Sequence, residues 1–438
     1  MAVKRKYGYY PDNFELQSFC AKYKLPANKV VSILDLFINK PIGQKDEQWI
    51  VLNSTLLRKL VGNIYKDIIV ALTDYKVIEV NRSYKVGEYS MSYKLLDKYQ
   101  FANELSKYPL VGGHLNVSLA KTNSRKIFKR YLEDLKLSKI KRRTELPEII
   151  FNTKYRILIH WFKTNKLVID KDKAVKLLHE KNFKENEPNK YLSYLAAIKM
   201  IEDKNYYLKS DRNGRFYSSI TNLPKALRSC LSYDGEELVG TDVSNTQPLL
   251  LGELCDSVKL NQLKHSKNII VNELMFNKFI NHLNDYPSDL LEYKTLVQEG
   301  KLYESFIGIA PNFDRDVVKA NMVKIINDRG YNDIKEKKIL REALKQKFPT
   351  ISMLLDLLKS VDHHYSSSTL MSLESWNFVQ YFPEIFSYKE ANQNIPLFTI
   401  HDCFFTTKSK IDYLESEIEA FFQNNLMIHI PLKREVYD

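Results

Sequence analysis

Cysteine is scarce in this chain: four in 438 residues (Cys20, Cys230, Cys255 and Cys403), with no Cys-x-x-Cys pair. That pattern signals neither a zinc knuckle nor a disulfide framework and points to a reducing compartment. Long hydrophobic runs are also missing. No stretch of about 18 apolar residues exists, so no membrane-spanning helix is expected. The first residues, Met-Ala-Val-Lys-Arg-Lys-Tyr, lack the apolar core of a signal peptide. Glycine is sparse (13), and no Gly-rich Walker loop occurs, which excludes a P-loop nucleotide site. There is no internal repeat and no low-complexity tract. Acidic residues are outnumbered, 53 against 66 Lys and Arg, for a net charge of +13. Such a surplus favours a polyanionic partner, because each cation that meets a phosphate releases condensed counterions. An AT-rich coding bias toward Lys and Tyr produces the same surplus, so charge alone assigns nothing.

Hydrophobic content of 44% with 28 Tyr and 22 Phe is that of a folded globular protein, long enough for two or three domains. Residues 52–60 (LNSTLLRKL) read as a short helix capped by Asn53 or Ser54. Residues 63–75 place Ile64, Ile68 and Leu72 on one helical face. Residues 77–81 and 92–95 then read as two strands around a Gly-containing turn. This order resembles the winged helix-turn-helix domains of phage and plasmid replication proteins. The resemblance implies a second helix entering the major groove and a hairpin touching phosphates. The same unit can instead pack on a neighbouring domain or bind protein. Residues 121–143 carry ten Lys and Arg, a solvated helix and linker or a phosphate-tracking arm. From about 150 to 208 the pattern is helical, as at 155–162 and 191–201.

Two aspartates dominate the rest. Asp242 lies in Gly-Thr-Asp-Val-Ser-Asn-Thr-Gln-Pro after the apolar Leu238-Val239, and Asp402 lies in Thr-Ile-His-Asp after Leu397-Phe398. Each closes a run that reads as a buried strand. Singly, an Asx turn or a hairpin residue explains either one. As a pair on adjacent strands they supply the hard oxygen ligands that magnesium prefers, with the Val243 carbonyl as an extra ligand. Two ions about 3.5–4 Å apart would clamp the attacking and leaving oxygens of an in-line phosphoryl transfer.

The stretch Asn213-Gly214-Arg215…Thr221-Asn222-Leu223…Arg228 precedes the first aspartate. It is similar to the Thr-Gly-Arg…Asn-Leu-Gln block of family A DNA polymerases, the class of DNA polymerase I. It is more similar to that family's virus- and transposon-associated branch, which carries Asp-x-x-Asn-x-Gln-Pro. Thr399-Ile-His401-Asp402 resembles the family's second metal motif, and Ile428 to Glu435 resembles its closing palm strand. Single-subunit phage RNA polymerases share these motifs. The resemblance covers roughly residues 205–438. It implies an α+β right-hand polymerase, with a palm built on an antiparallel sheet, helical fingers and a helical thumb, joined to the N-terminal winged helix. The expected division is 1–100 for the winged-helix module, 101–208 for a basic linker and thumb-like region, 209–256 and 366–438 for the palm, and 257–365 for the fingers.

Residues 314–327 read as a helix with Arg315 and Lys319 at i and i+4. The spacing matches the family's Arg-x-x-x-Lys, which holds the nucleotide's triphosphate, although taken alone it is better explained as a surface pair among neighbouring acids. Lys324 is a further cation. Eight residues beyond the Lys the family carries an aromatic; this chain has Asn327, and Tyr331 is the nearest tyrosine. Five residues beyond Asp242 most of the family's DNA polymerases have a Glu that blocks the ribose 2′-hydroxyl; this chain has Gln247. Both departures leave the choice of sugar open, with a mild lean toward deoxynucleotides. The resemblance also implies that Asn245 and Gln247 line the nucleotide pocket and that Arg215 reaches the primer's minor groove. Thr221, Asn222 and Arg228 would meet template or primer, and His401 the primer terminus, with palm salt bridges and turn geometry as the plainer roles. Glu374 has an undefined role, and His363-His364 reads as surface. Residues 1–140 hold no Asp-x-Glu exonuclease signature.

The expected function is therefore a template-directed DNA polymerase using two Mg2+ ions, or Mn2+ in their place. Its partners would be a DNA template-primer, nucleoside triphosphates and replication proteins, without a membrane. The implied setting is the cytoplasm of a bacterial host, in replication of a phage or mobile element. The alternatives are an RNA polymerase or primase, and a non-catalytic replication-initiation protein.

Overall fold

The computed structural model describes residues 6–39, 49–83, 90–110, 154–211, 213–265, 271–311, 313–327, 334–435 and 437. The basic tract 121–143, the hairpin tip 84–89 and Tyr331 lie outside them. The fold mixes helices with antiparallel sheets, and the chain divides into two compact units. The first comprises Met1–Ser210, Tyr217–Leu238 and Val436–Asp438, the second Asp211–Phe216 and Val239–Glu435.

In the first unit, β1 (Tyr7–Pro11) pairs antiparallel with β5 (Leu105–Pro109), Tyr9 opposite Lys107. The Ala27–Asn39 helix crosses so close that a Cβ on Gly8 would lie 2.9 Å from Val31 Cγ1. A buried carboxylate, Asp35, accepts the Tyr9 N–H at 2.8 Å. Asn205 is 1% exposed and satisfies the start of the strand from far along the chain, accepting from Lys6 N at 2.6 Å and donating to Tyr7 O at 2.9 Å.

The stretch read as two helices and a hairpin forms those elements. β2 (Ile50–Val51) is followed by helices Ser54–Val61 and Tyr65–Asp74, then β3 (Ile78–Asn81) and β4 (Ser92–Leu95). The strands order as β2-β4-β3. Asn53 caps the first helix, accepting from Leu56 N at 2.7 Å. Ile68 and Leu72 are buried, while Ile64 is only half-buried and leaves the inner face to Tyr65.

Farther on, helices Arg156–Lys163, Lys171–Glu180 and Pro188–Glu202 stand beside a small ladder. There β6 (Leu167–Ile169) pairs with β9 (Leu231–Tyr233). β7 (Leu208–Ser210) pairs with β8 (Phe216–Ser218), and Asp211–Phe216 belong to the second unit.

The second unit is built on the end of β10 (Glu236–Val243), whose first residues pair with β9 in the first unit. β11 (Phe398–Ile400) and β12 (Cys403–Thr407) form a two-residue hairpin, Ile400 opposite Cys403. β12 neighbours β10, and β13 (Leu432–Arg434) takes the other edge, Asp242 opposite Lys433. Gly240 lets the strands approach closely at this seam: a Cβ there would lie 2.6 Å from Phe405 Cε1. Phe378, Phe382 and Phe422 pack in a ring cluster with Phe404, holding the sheet to the helices. A helical subassembly fills residues 246–374, its core running from Leu250 through Phe306, Val318 and Phe348 to Leu370.

Candidate functional site

Asp242 occupies the penultimate position of β10, where alternation buries Thr241 and Val243 and turns Asp242 to the opposite, half-buried face. Two backbone bonds fix this strand end. Val243 N–H donates to the Asp402 carbonyl at 3.2 Å, and Ser244 N–H donates to the Pro431 carbonyl at 2.9 Å. The first bond joins the two aspartates' segments directly. His401 and Asp402 form the whole turn between β11 and β12, with His401 left-handed (φ 57) and half-buried. Asp402 was expected to close a strand; it sits instead on the reversal, just past Ile400, where β11 ends.

The surroundings of Asp402 disfavour a bare charge. Burial raises its pKa, opposed by the Thr246 hydroxyl, by its own backbone N–H and by the positive charges of Arg215 and Lys319. Thr246 also donates to the Val243 carbonyl at 2.8 Å. Asn245, left-handed at φ 59, launches the Thr246–Leu254 helix without a side-chain cap. Its buried Nδ2 has no hydrogen-bond partner among the described residues.

Arg215 reaches the site from the 211–216 turn. Asp211 Oδ1 accepts both Asn213 N and Arg215 N, and Asn213 Oδ1 accepts the Ser368 hydroxyl at 2.8 Å. Arg215 Nη2 lies 2.9 Å from both Glu374 oxygens. Glu374, 2% exposed, ends the His364–Glu374 helix and feels the negative charge of Asp402. Burial, outweighing Arg215, pushes its pKa up to about 7.

The Arg315–Asn327 helix forms as read, with Arg315 and Lys319 exposed on one side. Lys319 acts electrostatically on Asp402. Arg315 Nε donates to Glu304 Oε1 at 2.6 Å, and its guanidinium lies 5.6 Å from the centre of the Tyr303 ring. Tyr303 is buried and feels the charges of Arg315, Asp402 and Glu304, and desolvation pushes its hydroxyl up to about 12. At the far end of the helix, Asn327 Nδ2 donates to Gln247 Oε1 at 3.2 Å and to Val323 O at 2.8 Å. Asn327 Oδ1 is buried without a hydrogen-bond partner among the described residues.

The second unit thus gathers Asp242, Val243, Asn245, Gln247, Arg215, Arg315, Lys319, Asn327, His401 and Asp402. Thr221, Asn222 and Arg228 belong to the first unit. There Thr221 Oγ1 accepts Ser218 N at 3.0 Å, Asn222 is half-buried in the next turn, and Arg228 is half-buried on the Lys225–Cys230 turn. Sequence reasoning missed Tyr303, Glu304 and Thr246, and it left Glu374 without its partner. None has a local signature: the bond from Glu304 to Arg315 spans 11 residues and the one from Arg215 to Glu374 spans 159.

The donor set fits a hard divalent cation. The segments of Asp242 and Asp402 are joined by one backbone bond, both side chains are half-buried, and Asp402, whose ionisation burial disfavours, would gain from a nearby positive charge. Among the described residues, the trio whose ligand atoms gather within 4.8 Å is a different one, Asp362, His363 and His364. Its own bonds account for it: Asp362 Oδ1 lies 3.1 Å from His363 Nδ1 and accepts His364 N at 2.9 Å. A groove of about 650 Å³, lined by Lys294, Gln298, Lys301, His429 and Pro431, includes neither aspartate.

No family model matches the chain, and no curated protein matches it. Among solved structures it is similar to the POL domain of Pol1 from M. smegmatis in complex with DNA primer-template and dNTP, with 11% identity and a TM-score of 0.35. The match covers 60% of this chain and 55% of that one, so the chain spans about half the length of the structure it matches.

Proposed function

We propose that this chain is a template-directed nucleotidyltransferase, a DNA polymerase whose Asp242 and Asp402 hold two Mg2+ ions. The observation that carries the assignment is the backbone bond from Val243 to Asp402, which joins the strand end of Asp242 to the turn of Asp402, with Lys319 close enough to act on Asp402. The order of motifs along residues 205–438, similar to that of family A polymerases, supports the same reading.

Each side chain has a part in that chemistry. Asp242 and Asp402 offer carboxylate oxygens, and the Val243 carbonyl, which already accepts Thr246, keeps a second lone pair. When bound, the ions supply the positive charge that eases ionisation of the primer's 3′-hydroxyl and departure of pyrophosphate. Lys319 and Arg315 neutralise the triphosphate, with most effect as charge builds on the leaving group. Arg215, held by Glu374, is the cation assigned to the primer strand. Asn245, Gln247 and Asn327 offer amide groups to the nucleoside. Lys319 and Asn327 are eight residues apart, about 12 Å along a helix, which is roughly the reach from a triphosphate to its base. The three-stranded N-terminal subassembly is assigned as a winged helix that meets DNA, in a phage or mobile-element replication protein.

A ribonucleotide-using polymerase is the second reading. It is favoured by the neutral Gln247–Asn327 pair and by the unpartnered Asn327 Oδ1, which can accept a hydroxyl. Primer extension by the full chain with Mg2+, offering dNTPs and NTPs separately, decides between them. Asp242→Asn is expected to cut incorporation by more than about 100-fold, beyond what loss of an outer-sphere contact costs, while template-primer affinity holds. Incorporation at the wild-type rate would remove the metal assignment.

A further inference from the structure

Arg315 meets an acid of its own chain before any ligand arrives. Its partner, Glu304, opens the short Glu304–Phe306 turn, anchored by the buried Tyr303 and Phe306. The segment that follows is tied back by Gly308 N to Phe313 O at 3.1 Å and Phe313 N to Ala310 O at 3.2 Å. Glu304 is therefore presented from a braced turn. Of the other nearby acids, Asp314 is occupied in capping, its Oδ1 accepting Val317 N at 2.8 Å, and Asp316 is exposed on the helix. The Arg315 guanidinium also lies 5.6 Å from the centre of the Tyr303 ring, and the Tyr303 hydroxyl feels the charges of Arg315, Asp402 and Glu304.

A carboxylate and a phosphate take the same donor edge of a guanidinium. The Arg315–Glu304 pair is half exposed, 44% and 38%, and contacts of that kind are weak. A polyphosphate carrying several charges outcompetes a single carboxylate. Resting on the polymerase assignment above, we propose that Glu304 is a resident stand-in for the nucleotide's polyphosphate. In the free protein it takes Arg315 Nε; a triphosphate competes with it for the guanidinium, and it retakes that nitrogen as pyrophosphate departs. Glu304 is then an affinity-setting residue that keeps the subsite from holding its product.

The test is binding of inorganic triphosphate with Mg2+ to the full chain, by calorimetry, for wild type, Glu304→Gln, Arg315→Ala and the double variant. Glu304→Gln is expected to tighten binding roughly two- to fivefold, the range of a half-exposed ion pair. Arg315→Ala is expected to weaken it about tenfold or more. In the Arg315→Ala background the Glu304 change is expected to do nothing, because the two act through one contact. If Glu304→Gln leaves the Kd unchanged or weakens it while Arg315→Ala still weakens it, the stand-in idea is overturned and Glu304 only steadies Arg315. If Arg315→Ala also leaves the Kd unchanged, the polyphosphate role of that helix falls with it.

Discussion

Glu374 and Asp402 are acids whose burial disfavours ionisation, and Arg215 is the cation both of them feel. Glu374 rises from 4.5 to about 7, so the folded state holds its proton more tightly than the unfolded chain. Its stabilising effect is complete below pH 4.5 and is lost as pH rises through about 7. The loss is at most about 3–4 kcal/mol, since each tenfold gain in proton affinity is worth about 1.4 kcal/mol. Denaturant unfolding from pH 4.5 to 8 is expected to show that falling limb, and Glu374→Gln is expected to flatten it. An unaltered limb in the variant would place the titration elsewhere. The same residue shows where sequence reading stops. Glu374 stands out in the sequence, but its partner lies 159 positions away, and nothing in a linear pattern announces a contact of that span. Asp242 and Asp402 were legible because an acid ending an apolar run is a local signal. Tyr303 and Glu304 were not, because a turn wall acquires meaning only when a helix is laid against it.

Among elements, the strand end and the Arg315–Asn327 helix are the two on which the proposed chemistry rests, and each has its own weak point. The β10–β12 seam admits no side chain at residue 240. Gly240→Ala forces Phe405 or the strand to move, and is expected to cost about 1–3 kcal/mol, the usual penalty of overpacking. Thermal unfolding measures this; wild-type stability would mean that the ring rotates away freely. For the Arg315–Asn327 helix, Lys319→Ala is expected to raise KM for nucleotide about 10- to 100-fold, as loss of a charged hydrogen bond does, with template-primer affinity little changed. Equal effects on both would show that the helix does not serve the triphosphate. The helix itself was readable from its i, i+4 cations. The hairpin strands at Ile78–Asn81 and Ser92–Leu95 were readable from turn residues and alternation. The pairing of β1 with β5 was not, since its register is set by Asn205 and Asp35, far along the chain or across a helix.

For the molecule as a whole, that pairing changes what the first hundred residues are. The sequence division treats 1–100 as a separable module. β1 instead needs β5 beyond residue 100, and Asn205 needs the backbone of Lys6 and Tyr7. Deleting 1–100 strands a buried amide and opens a strand edge, so the shortened chain is expected to unfold in its first unit rather than merely lose DNA contacts. Limited proteolysis checks this: fast cleavage within residues 154–210 is expected, and a resistant fragment would restore the independent module. The basic surplus, by contrast, was visible at once, because charge needs no fold to be counted.

The His401–Asp402 reversal has a final consequence for which changes this chain tolerates. Two residues make the entire connection between β11 and β12, so the acid's direction depends on the number of residues as much as on their kind. One residue inserted within either strand would exchange its two faces downstream, because pleat side chains alternate, and both faces are buried here. Homologues are therefore expected to vary in spelling along this hairpin and never in its length.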